Sequence, residues 1–218
     1  MEIGNRNIFW EALIVAILLF ASGIFLGYLL ELNRVDKIIT LYQDSELNLL
    51  DIRVQSDMLS FDNLDCDSAV RQLILFADKI YEDARTLERY EGSSELSKGI
   101  IFQHKRYDLL RTILWVNSIQ LKERCGKKFN TIVYFYEYQS EDVDIKNLQS
   151  VFANKLGEVK RELGDKVILI PIAGNLEISS INYLKKLYNI SLMPAILIDE
   201  SIKIDTNEGL KNINSNLK

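Results

Sequence analysis

Cys66 and Cys125 are the only thiols in a chain of 218 residues, and His104 is its only imidazole. That inventory leaves little room for reactive chemistry. Two cysteines and one histidine give no zinc-ligand spacing, so no metal and no cofactor is expected. His104 falls inside a long helical pattern, where the expected place is the helix surface rather than a catalytic base. The thiols allow three states: a structural disulfide, two buried free thiols acting as small apolar residues, or a redox couple. Acids gather in 131-TIVYFYEYQSEDVD-144, where a β-branched and aromatic strand runs into the start of a helix. Ser140 is the expected N-cap there, with Glu141, Asp142 and Asp144 set against the helix dipole, a sufficient reason for acids without a divalent cation.

Which thiol state applies depends first on compartment. From Ala12 to Leu30 the run is uncharged, and as a helix it would span roughly 28 Å, close to the hydrocarbon thickness of a bilayer. A single transmembrane helix is expected, with Trp10 and Tyr28 as interfacial aromatics. The small residues Ala21, Ser22 and Gly23 also permit a cleaved signal peptide, but the apolar run continues past them. Either way the remainder is directed to a membrane, and an extracytoplasmic position is expected for it. Basic residues are mixed with acids on both flanks, so charge alone does not orient the span. Ala12, Ala16, Gly23 and Gly27 share one face and would let another helix approach.

The second condition is that the chain brings the cysteines together. Residues 32–60 lack glycine and proline and carry two interrupted apolar stripes, which predicts a helical stalk docking on the segment after it. Asp65 then caps a helix with Cys66, Val70, Leu73, Ala77, Ile80, Ala84 and Leu87 on one face. After the loop around Gly92, a second helix runs through Leu96, Ile100, Tyr107, Leu110, Leu114 and Leu121 to Cys125, and Gly126 stops it. A short connection makes the helices antiparallel, with lengths of roughly 36 and 43 Å, so the start of one lies beside the end of the other. Cys66 and Cys125 therefore meet, and in an oxidising compartment a disulfide is expected.

From Thr131 the pattern alternates: strand, helix 141–163 (Leu148, Val151, Phe152, Leu156, Val159 and Leu163 inward), strand, helix 175–188 (Ile181, Leu184 and Leu187 inward), two further strands and a short helix. A crossover makes the first two strands parallel neighbours, and the last two form a hairpin. This order, with Tyr188-Asn189-Ile190 three residues ahead of Pro194, resembles the thioredoxin fold over roughly residues 128–217. The resemblance implies a cis Met193–Pro194 bond and a groove for an extended partner segment beside Met193 and Pro194, with Tyr138 on its other side. It also places Gln139 and Asp142 where thioredoxins have their two cysteines, and Val133 where they have a buried carboxylate. Thiol exchange needs a nucleophilic and a resolving sulfur, and this domain supplies neither.

The expected organisation is an N-terminal tail and transmembrane helix (1–31), a helical stalk (32–60), an antiparallel helical hairpin (61–127) and an α/β thioredoxin-like domain (128–218). The expected function is a non-catalytic, membrane-anchored protein-binding or assembly module, its partners being the bilayer and another protein. Two alternatives remain: a membrane-tethered oxidoreductase using Cys66 and Cys125, and a structural subunit held through Gly23 and Gly27. With a net charge of −5 and no basic cluster on any face, nucleic acid is not an expected partner.

Overall fold

The computed structural model describes residues 9–30, the separate positions 43, 47, 50, 51 and 54, and residues 65–91 and 97–217; at 83–91, 97–100, 103 and 207 it describes backbone alone. Residues 1–43 and 44–218 form two compact units.

In the first unit, Phe9–Leu30 is a helix (α1) of 22 residues whose most apolar 18-residue window has mean hydropathy 2.6. It is long and apolar enough to cross a membrane, at about 33 Å against a hydrocarbon core of about 30 Å. Ala12, Ala16, Gly23 and Gly27 all lie on it and are exposed, and a Cβ built at Gly23 or Gly27 would meet nothing within 4 Å.

The stalk expected over 32–60 lies outside the described residues except at those five separate positions, each helical. Leu47, Leu50 and Val54 are exposed there.

The second unit begins with two helices, α2 (Cys66–Glu91) and α3 (Ser97–Cys125). Asp65 caps α2: its Oδ1 accepts from the backbone N–H of Asp67 (3.2 Å) and Ser68 (3.4 Å). Gly126 ends α3 at φ 73°, a left-handed conformation that glycine adopts without steric cost. The helices pack on each other, and a Cys66–Cys125 disulfide joins their outer ends. On α2, Val70, Leu73, Ala77 and Ile80 are buried as the stripe predicts; Leu96 and the side chains of Ala84, Leu87 and Ile100 lie outside the described residues.

Among the described residues, one sheet of four strands comes next: β1 (Asn130–Tyr136), β2 (Val167–Ala173), β3 (Ala195–Ile198) and β4 (Ile202–Ile204), in the order β2-β1-β3-β4. β1 and β2 are parallel; β1–β3 and β3–β4 are antiparallel. Three helices are interleaved: α4 (Val143–Leu163), α5 (Ser179–Leu187) and α6 (Asn207–Lys211). The chain is therefore mixed α/β, with a helical pair ahead of the sheet.

Strand residues alternate between two cores. Ile132, Tyr134, Val167, Leu169, Ile196 and Ile198 pack with Phe152, Leu156 and Val159 of α4 and with Leu210 and Ile213 near the C-terminus. On the opposite face Phe135 meets Trp115 of α3 (6.0 Å between ring centroids), and Trp115 meets Tyr188 at the end of α5 (5.3 Å). Phe152 is fully buried, so truncating it to alanine would cost about 3–5 kcal/mol.

The far end of α3 is tied to the sheet by charge. Lys122 Nζ donates to Thr131 Oγ1 (2.8 Å), Asp199 Oδ1 (3.2 Å) and Glu200 Oε2 (2.6 Å), and Trp115 Nε1 donates to Glu200 Oε1 (2.7 Å). Asp199 and Glu200 form the β3–β4 turn at φ 45° and 58°, a conformation usually left to glycine and asparagine. Their fixed side chains offset that backbone cost.

Four helix readings are corrected. α4 begins at Val143, and its N-cap is Asp142, which accepts from Asp144 N–H (2.8 Å) and Ile145 N–H (3.2 Å); Ser140 Oγ instead donates to Glu137 (2.9 Å). α5 begins at Ser179, because Asn175 is engaged elsewhere. Val151 and Leu187 are 51% and 55% exposed, each on the solvent side of a helix that buries a neighbouring stripe. His104 is 5% exposed rather than on the surface, since α3 is covered by α2 on one side and by β1 and β2 on another.

Candidate functional site

The ends of β1 and β2 meet the start of β3. Phe135 pairs with Ala195, so Pro194 stands beside the end of β1, and the Met193–Pro194 peptide bond is cis. Open parallel sheets place ligands at this carboxyl edge.

Two carboxamides fix the chain leaving β1. Gln149 of α4 accepts from Glu137 N–H (2.5 Å) and donates to Glu137 C=O (3.3 Å). Asn175, just after β2, does the same for Tyr138, accepting at 2.8 Å and donating at 2.9 Å. Each carboxamide has one acceptor and one donor group, so it satisfies both backbone groups of one residue and replaces a strand partner where the ladder ends. The chain then turns through Gln139 at φ 50°, and Gln139 is exposed.

A polar stripe on α3 faces the same edge. His104, Asp108 and Arg111 occupy positions i, i+4 and i+7, and all three are buried. The His104 ring stacks on Tyr138 (centroids 4.0 Å apart), and its Nε2 lies 2.9 Å from Tyr136 Oη and 3.5 Å from Asp108 Oδ2. Arg111 Nη1 reaches Asp108 Oδ1 at 3.2 Å, and the guanidinium lies over the Tyr107 ring at 4.2 Å. Burial pushes the Asp108 carboxyl above the ordinary range, against the opposing pull of Arg111, His104 and the Ala173 N–H. That last contact lies at the outer edge of β2. Pro171, two residues earlier, has the same parity, so its missing N–H would also point outward and no ladder bond is lost.

The expected site residues are thus only partly brought together. Tyr138 is 8% exposed beneath His104, so its ring is covered instead of lining an open groove. Gln139 is accessible, Met193 is half-buried and Pro194 is buried. Met193 lies against Gly174: a Cβ there would come within 2.4 Å of the Met193 sulfur, so any larger residue would have to displace that flexible side chain. Asp142 is engaged as a helix cap, and Val133 is fully buried. Cys66 and Cys125 are bonded to each other, and their contact belongs to the ends of α2 and α3. Among the described residues, no group of three or more His, Cys, Asp or Glu side chains is placed to hold a metal ion. Sequence reasoning missed the His104–Asp108–Arg111 stripe and both carboxamide clips; the stripe's regular spacing was its one available signal. No protein-family model matches the chain, and no curated protein matches it in sequence.

Proposed function

We propose that this is a single-pass membrane protein whose thioredoxin-like domain binds another protein at the extracytoplasmic surface without performing thiol exchange. One observation carries the reading: the edge where the thioredoxin resemblance puts its two sulfurs holds Gln139 and Asp142, and Asp142 is engaged in capping its own helix. The strand order, the parallel β1–β2 pair, the β3–β4 hairpin and helices on both faces support the fold resemblance. The length and apolarity of α1 support the anchor, and the Cys66–Cys125 disulfide suits an oxidising compartment. Exposed Gln139 is the nearest accessible point from which a partner can be reached.

The test has two arms. The detergent-solubilised chain is assayed for insulin reduction with dithiothreitol, and no turnover above the reductant alone is expected; clear turnover would overturn the non-catalytic reading. A photo-crosslinking residue at Gln139, activated in native membranes, should give one discrete adduct. A ladder identical to that from a crosslinker at Lys155 on α4 would remove the binding role.

A further inference from the structure

We infer that the cleft between α2, α4 and the β1–β2 strands is a binding site for a small organic anion, a carboxylate or phosphate carried on a planar apolar body. The cleft encloses about 760 Å³, within the range of small-molecule sites, and neither Met193 nor Pro194 lines it. It adjoins the edge assigned to a protein partner, with which it shares Arg111, Tyr136 and Gln149, but Gln139, like Met193 and Pro194, lies outside its lining.

Its charge runs against that of the chain. Arg111, Lys146 and Arg161 line it with one acid, Glu158; Arg111 is paired with Asp108 behind the wall, so Lys146 and Arg161 carry the excess positive charge, whereas the whole chain carries −5. Glu158 already lies 3.3 Å from Lys155, which is outside the lining. Positive charge concentrated in a concave, protein-walled space attracts anions. Arg111 is the deepest of the three at 3% exposed, and its buried Nε has no hydrogen-bond partner among the described residues. Beyond its contacts with Asp108 and Tyr136, the guanidinium thus retains donor capacity. A planar fork of donors suits carboxylate and phosphate alike.

The walls favour a flat body. Tyr81 of α2 and Tyr134 and Tyr136 of β1 line the cleft, presenting rings with polar tips. Gly157, inside α4, is a further sign. Glycine in a helix interior costs about 1 kcal/mol relative to alanine. A Cβ at Gly157 would come no closer than 3.6 Å to Arg161 and 4.0 Å to Tyr81, so packing does not demand glycine there. What its absent side chain provides is room in the cleft wall.

The test titrates the full chain in detergent with phenyl phosphate and, separately, benzoate by calorimetry, with phenol as the uncharged control. Saturable sub-millimolar binding of at least one anion and none of phenol is expected, and the preferred anion identifies the group recognised. Arg161→Gln should weaken binding about tenfold, the size of one lost charge-assisted contact. Ala153→Trp, which fills the cleft from an exposed helix position, should abolish it while the melting transition is retained. Arg111→Lys keeps the charge and loses the fork, so it should also weaken binding; the Arg161→Gln and Ala153→Trp variants decide the matter if that protein does not fold. No saturable binding of either anion, binding of phenol as tight as that of the anions, or binding untouched by Ala153→Trp would overturn the inference.

Discussion

Reducing the Cys66–Cys125 disulfide should lower stability by a calculable amount while leaving the fold in place. The bond closes a loop whose ends lie 59 positions apart in the sequence. On the loop-closure account, opening it returns about 4 kcal/mol of conformational freedom to the unfolded state. The folded state keeps Val70, Leu73, Ala77 and Ile80 of α2 and Leu110, Leu114 and Leu121 of α3 buried, so the helices remain packed without the bond. For a unit of this size each kcal/mol corresponds to about 2–4 °C, so the melting temperature should fall by about 8–16 °C. The comparison is between the oxidised protein, the same protein in reductant and the Cys66→Ser/Cys125→Ser double variant, all full-length in detergent and followed by near- and far-UV circular dichroism. The reduced and serine forms should melt together and below the oxidised one. In urea their m-values should exceed that of the oxidised chain, because an uncrosslinked unfolded state exposes more surface. An oxidised protein melting within about 2 °C of the reduced one would refute the reasoning. So would unequal losses in the two disulfide-free states.

Three further outcomes rest on the packing. Asp108→Ala leaves the Arg111 guanidinium buried without its carboxylate and should cost about 3–5 kcal/mol, whereas Asp108→Leu combined with Arg111→Met should recover most of that loss; urea unfolding measures both, and an equal loss in the two proteins would contradict it. Burial alone would raise the Asp199 carboxyl, but Thr131 N–H, Lys127 and Lys122 outweigh it and hold the group below its ordinary value. Its stabilising effect is therefore complete above the unfolded carboxylate pKa of about 3.9 and is lost as pH falls through the lower folded value. The melting-temperature gap between wild type and Asp199→Asn should close over that acidic window; a gap independent of pH would count against the assignment. Gly157→Ala should raise stability by about 0.5–1 kcal/mol, since the added Cβ meets only ordinary contacts, and a lowered melting temperature would show that the helix needs glycine there.

The elements that sequence reasoning placed best are those whose burial is one-sided or whose ends carry a chemical stop. The stripe of α2, Gly126 at the end of α3 and Asn189 at φ 54° ahead of β3 are local patterns with local causes. The meeting of Cys66 and Cys125 is the consequence of two such helices and a short loop. The carboxamide clips were hidden for a different reason. Gln149 and Asn175 are ordinary polar residues until the β1–β2 pairing brings the backbone of Glu137 and Tyr138 within their reach.

The stripe on α3 was hidden because a one-face reading assigns every polar residue to solvent. That assumption fails for a helix without a polar face. Between Tyr107 and Leu121, Leu109, Leu110, Ile113, Leu114, Trp115, Val116 and Ile119 point in all directions around the axis. A helix apolar all round is expected to be enclosed on more than one side. Asp108, Arg111, Thr112, Asn117 and Ser118 within that stretch are indeed buried, and so is His104 one turn before it. Buried ionic groups must find each other or another polar group, and spacing by three and four residues brings Arg111 and His104 within reach of Asp108. The same argument explains why the cation at the floor of the cleft belongs to α3 and not to α4. A charge supplied from an exposed helix would remain in water, whereas Arg111, held by Asp108 and lying over Tyr107, is kept inside the protein wall where a ligand's anionic group would meet it.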